Sequence, residues 1–252
     1  MGMRPLALVL LAVAVAGPAL AAPADERFRE ANDLVRAGDY PKAIALYDEL
    51  AASGQESASL YWNWAQAASS RGAQGEALWA LLRARELDPG DRAVRRDVDR
   101  LREALNLDPA EIAPEPLAAA GRFSRRFRLD LVALALFALS LVAHLLVRVR
   151  WGLRTSGPLA WAALVLGLLA AAVPVAASFA RPTAAVVRRG APLLDAASPT
   201  AEPMGSLREG EVVPVLEVSG DWLRVEDNAG ARGWAHVADV RRLDTPPMLP
   251  RD

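Results

Sequence analysis

Residues 159–180 run for 22 positions without a charged side chain, and residues 129–147 run for 19 with only Asp130, close to the edge. At about 1.5 Å of rise per residue, each run as a helix is long enough to cross a hydrocarbon core of roughly 30 Å. Two such runs so close together are expected to form a two-helix transmembrane hairpin, in contact with the lipid bilayer, with a short loop at 148–158. That loop carries Arg148, Arg150 and Arg154 and no acid, and Trp151 and Trp161 fall where an interfacial aromatic belt belongs. Ala163, Gly167 and Ala171 recur at four-residue spacing, which lets two helices approach closely. Pro174 is expected to kink the second helix.

Charge separates what lies on either side. Residues 22–121 hold 12 basic and 18 acidic side chains, residues 122–181 hold 8 and one, and residues 182–252 hold 8 and 11. Two acidic flanks around a basic, apolar middle is the pattern of a membrane segment between soluble parts. Neither flank is basic enough for nucleic-acid binding. The chain has no cysteine, which excludes disulfides and thiolate metal sites.

Residues 1–22 pair Arg4 with an apolar run at 6–16, a Gly17-Pro18 break and the small residues Ala19-Leu20-Ala21. This reads as a secretory signal peptide cut after Ala21 or Ala22; the alternative is an uncleaved anchor helix. Export followed by two crossings puts residues 23–128 and 183–252 on the same outer side, with the arginine-bearing loop inside. The expected layout is two-pass with both soluble parts outside; with the bacterial resemblance given below, this implies the bacterial inner membrane, with both soluble parts periplasmic. Arg122, Arg125, Arg126 and Arg128, just before the first span, run against that charge rule.

The first soluble part repeats itself. Ala31, Gly38, Ala43 and Tyr47 match Ala65, Gly72, Ala77 and Leu81, each at an offset of 34. That is the period of the tetratricopeptide repeat, in which small residues let paired helices approach and glycine relaxes the turn between them. Pro89 then ends the second repeat, and residues 91–105 form a closing helix with Val94, Val98, Leu101 and Leu105 as its apolar stripe. The repeats with this helix occupy 23–107, and the three prolines of 108–128 read as a linker.

Residues 183–243 alternate apolar and polar side chains, predicting strands near 211–218, 222–226, 233–236 and 240–243. About 60 residues of this kind close as a small barrel of five or so strands, followed by a tail at 244–252. The run from Leu207 through Gly210 and Val215 to Glu217, with GDWLRV at 220–225 and GARGWAHV at 230–237, resembles a bacterial SH3-like (SH3b) domain. The fold expected is therefore multidomain: all-α tetratricopeptide hairpins, a two-helix transmembrane hairpin and a small all-β SH3-like barrel. The order of signal peptide, repeats, paired membrane helices and SH3b domain resembles the BatE-type proteins of the Bacteroides aerotolerance (Bat) systems. That resemblance implies a scaffold beside a MoxR-type ATPase and von Willebrand factor A membrane proteins, rather than a reaction.

Binding residues are sought where each module has a face. Helix A of each repeat lines the face where such arrays hold peptides, placing Phe28, Asn32, Trp62, Asn63 and Gln66 there. Asn32 and Asn63 match the asparagines of dicarboxylate-clamp repeat proteins, but Phe28, Ala93 and Asp97 stand at the basic positions of that clamp. Arg92, Arg96 and Arg100 on the next helix offer guanidinium groups suited to a carboxylate. Trp64 and Trp79 are expected in interhelix packing. In the barrel, Trp234 is expected in the core and Trp222, after a turn, on the ligand-binding face. The partners implied are membrane or periplasmic proteins, with peptidoglycan as the cell-wall alternative through family analogy.

No catalytic set is visible. The two histidines are His144, within an apolar run, and His236, in a predicted strand; there is no phosphate-binding glycine loop and no metal-ligand cluster. No enzyme activity, cofactor or metal is expected.

Overall fold

The computed structural model describes residues 21–107, 120–121, 123–124, 127–151, 158–179 and 182–244. The expected signal peptide through residue 20, most of the expected linker and loop, and residues 245–252 of the tail lie outside the described residues.

Among the described residues, five helices come first: α1 (Ala21–Arg36), α2 (Tyr40–Ala52), α3 (Ala58–Ser70), α4 (Gln74–Leu87) and α5 (Arg92–Ala104). Their starts keep the 34-residue period, Tyr40 against Gln74 and Ala58 against Arg92. Caps set the boundaries. Asp39 accepts from Lys42 N, Ser57 from Leu60 N at 3.1 Å, and Asp91 from Ala93 N at 2.7 Å. Gly38 and Gly72 take φ of +80° and +82° at equivalent turns, where other residues would be strained. Ala31, Ala43, Ala65 and Ala77 are buried where the hairpins cross. Tyr61, Trp64 and Trp79 fill the space between α3 and α4 with centroids 5.0–5.8 Å apart, so both tryptophans pack as expected. On α5, Val94 and Val98 are buried and Leu101 and Leu105 pack against the same core.

Helices α6 (Leu129–Trp151) and α7 (Pro158–Ala177) form a hairpin. The first continues four residues past the expected end at 147, because no helix breaker stands between Arg148 and Trp151. Small residues lie at the contact: Ala133 and Ala163 are buried, and a Cβ on Gly167 would stand 3.2 Å from the Phe137 ring. His144 packs edge-on to Trp161 at 5.8 Å, joining the two helices. The outward sides are apolar and uncovered, with Leu134, Leu141 and Leu169 more than 60% exposed. Side chains are described over 129–145 and 161–177, and among the described residues no helix is long and apolar enough to cross a membrane. The backbone helices themselves run for 23 and 20 residues.

Seven strands follow: β1 (Thr183–Val186), β2 (Ala191–Leu194), β3 (Pro203–Leu207), β4 (Val212–Ser219), β5 (Trp222–Glu226), β6 (Arg232–His236) and β7 (Val240–Arg242). They pair antiparallel in the order β3-β2-β6-β5-β4-β1-β7. The expectation of about five strands is corrected to seven; the three strands not placed from sequence show no alternation, β1 and β2 being four residues long and β3 exposed at its first four positions. Ala184, Val186, Leu193, Leu207, Val213, Leu223, Val225, Ala235 and Val240 form the core.

The barrel packs on the outer side of α4, where residues 75–84 are all buried. Ala185 and Leu243 of the barrel belong to the repeat core cluster. A Cβ on Gly75 would come within 2.8 Å of the carbonyl oxygens of Val186 and Val187, so the two backbones meet only at glycine.

Candidate binding surfaces

The face built by α1, α3 and α5 carries the residues expected to bind peptide. Asn32 Oδ1 accepts from the Tyr47 hydroxyl at 2.7 Å and from Asn63 Nδ2 at 2.8 Å. Phe28 packs against the same Tyr47 at 6.1 Å. Trp62 Nε1 donates to Asp97 Oδ2 at 3.0 Å, and Asp97 pairs with Arg100 at 3.0 Å. Asn32 therefore meets Asn63, and Trp62 meets Arg100 through Asp97. Gln66 is exposed one turn from Trp62, and Arg96 turns back to the carbonyl of Arg92 at 3.3 Å.

On the barrel, Trp222 and His236 sit opposite each other on β5 and β6, edge to face at 5.1 Å. Arg224 and Trp234 form the next outward pair. The placement of Trp234 in the core is corrected. Gly233 takes the inward position because a Cβ there would stand 2.6 Å from Leu193 Cγ, and two-residue alternation then turns Trp234 outward. Both tryptophans are half-buried on one face. Ala238 N donates to His236 Nδ1 at 3.1 Å and holds the ring against Trp222. Glu226–Arg232 at 2.8 Å and Glu217–Arg224 at 3.5 Å border the aromatic pair.

The third surface was not foreseen, and it is already filled. Gly75 N donates to Glu209 Oε1 at 2.7 Å, Trp79 Nε1 to the carbonyl of Arg242 at 2.9 Å, and Arg83 to the carbonyl of Leu243. Arg83 also pairs with Glu56. Arg241 lies over the rings of Trp64 and Trp79, 5.4 and 5.0 Å from their centroids, with Asp48 at 3.6 Å and Glu76 at 3.9 Å. Burial holds the Asp48 carboxyl above the usual range; Arg241 pulls it down, while Glu76 and Glu49 push it further up. The signal in the sequence was α4 itself, apolar on nearly every side, which demands cover on every side.

Among the described residues, no group of three or more His, Asp or Glu is placed to hold a metal. A family model described as "Bacterial SH3 domain" matches residues 189–241, within the seven-stranded unit. No curated protein and no solved structure matches the chain. The C-terminal unit is thus SH3-like, and helical repeats precede it.

Proposed function

We propose that this chain is a non-enzymatic, membrane-anchored interaction scaffold in which tetratricopeptide-type repeats and an SH3b barrel are displayed together beside a bilayer. The observation that carries the reading is the α6–α7 hairpin with uncovered apolar sides, joined to two modules that dock on each other. Helices of 23 and 20 residues are roughly 34 and 30 Å long, which suits a hydrocarbon core. Docked modules must share one compartment, and an even number of crossings satisfies that. The periplasmic side follows from the N-terminal signal, with Arg148, Arg150 and Arg154 inside. The repeat face of Phe28, Asn32, Trp62 and Asn63 would take an extended protein segment, with Arg96 and Arg100 on α5 favouring acidic groups. The BatE-type resemblance adds a MoxR-type ATPase and von Willebrand factor A membrane proteins as partners.

A periplasm-dependent reporter fused after Asp252 tests the layout. Activity is expected there, whereas signal from a cytoplasm-dependent reporter would overturn it.

The bacterial SH3 match and the half-buried, outward-facing Trp222–His236 pair favour a second reading, in which the barrel holds peptidoglycan and the repeats recruit an enzyme. The full chain in lipid nanodiscs should then sediment with purified peptidoglycan and lose this with Trp222→Ala. Absence of co-sedimentation removes this reading and leaves the scaffold.

A further inference from the structure

Arg241, Arg242 and Leu243 are consecutive, and all three engage the repeats. Two do so through backbone carbonyls, which any residue would supply. Leu243 also adds its apolar side chain to the repeat core, but of the three Arg241 brings a charged side chain to the repeats, and what it enters is a built site. Trp64 and Trp79 meet at 72° and form a corner of two ring faces. Asp48 on α2 and Glu76 on α4 close the corner with carboxylates whose side chains are 20% and 8% exposed. Both Glu76 oxygens already have donors, Oε1 (the atom facing Arg241 at 3.9 Å) from Trp64 Nε1 at 3.0 Å and Oε2 from Arg71. Among the described residues Asp48 Oδ1 has no hydrogen-bond donor, and the cation paired with it is Arg241, at 3.6 Å. Buried carboxylates need a paired cation. A planar guanidinium stacks against two aromatic faces in a way that a compact ammonium cannot.

We propose that Trp64, Trp79, Asp48 and Glu76 form a guanidinium-binding cage on the repeats, and that Arg241 fills it in cis as the latch holding the barrel docked. The latch fixes the Phe28–Asn63 face and the Trp222–His236 face in one orientation, so a partner meets them as a single unit. The inference does not depend on membrane crossing or on what either face binds.

The test uses the full chain with Arg241→Gln and Arg241→Lys, and Arg224→Gln on the opposite face as control. In wild type and R224Q, the repeats and the barrel should unfold in one transition, with the Gly75 amide strongly protected from hydrogen exchange. In R241Q the transition should split in two and exchange at Gly75 should rise about tenfold or more; R241K should follow R241Q. Methylguanidinium should restore the single transition in R241Q, and methylammonium should not. A single unchanged transition in R241Q, equal rescue by both cations, or full function of R241K would overturn the proposal. So would a wild-type transition that splits on dilution, since the arginine would then come from a second copy.

Discussion

Asn63 reaches 31 residues back along the chain to donate its Nδ2 to Asn32 Oδ1, 2.8 Å away, and the Tyr47 hydroxyl donates to the same oxygen. One amide oxygen thus ties α1, α2 and α3 together beneath the repeat face. Asn32→Ala leaves two donors without their acceptor and should cost about 1–3 kcal/mol in urea unfolding. Asn63→Ala removes one donor of the pair and should cost less.

Tyr47 supplies a titration for the same junction. Burial pushes its hydroxyl up to about 12, against about 10 in an unfolded chain. Between those values the unfolded state loses the proton first, so stability should fall as pH rises from 10 towards 12. Tyr47→Phe should remove that part of the alkaline loss, measured by denaturation at pH 9 and 11.

Trp222 and Trp234 share an outward face, whereas Trp64 and Trp79 are fully buried. Trp64→Ala and Trp79→Ala should each cost about 3–5 kcal/mol. Trp222→Ala and Trp234→Ala should cost clearly less by chemical denaturation. Trp222→Ala should instead weaken retention on purified peptidoglycan about tenfold or more, if that is the ligand of the face.

Gly75 gives a prediction of sign. In an isolated helix, Gly→Ala gains up to about 1 kcal/mol. Here the added Cβ would stand 2.7 Å from Glu209 Cγ and 2.8 Å from two barrel carbonyls. Gly75→Ala should therefore destabilise the full chain by about 1–3 kcal/mol. In a fragment of residues 21–107 the loss should shrink or reverse.

Asp48 is held above the usual carboxylate range mainly by burial. The folded state therefore keeps the proton longer than the unfolded state does. As pH falls through the raised value, this group's contribution to stability rises; above it, the ionised form forgoes that contribution. Urea unfolding of wild type and Asp48→Asn between pH 7 and 4 should show the wild type gaining on the variant as pH falls.

What could be read from the sequence was whatever repeats or alternates. The 34-residue offset located the helix hairpins, and β5 begins and ends at 222 and 226 as its alternation demanded. Trp234 was misplaced because residue type outweighed parity: a tryptophan suggests a core, but the glycine before it already held the inward position. The docking surface was hidden for another reason. Its contacts join residues more than 130 apart, Gly75 with Glu209 and Trp79 with Arg242, and no local period encodes such a pairing.

The docking of barrel on α4 makes one packed unit that is discontinuous in sequence, with residues 108–181 inserted between its halves. Leu107 and Leu105 lie against Gly210 across that gap. A protease that nicks the chain anywhere inside the insertion cuts it in two without shedding either half. During synthesis, α4 keeps an unmet apolar side until β7 has emerged, more than 150 residues later.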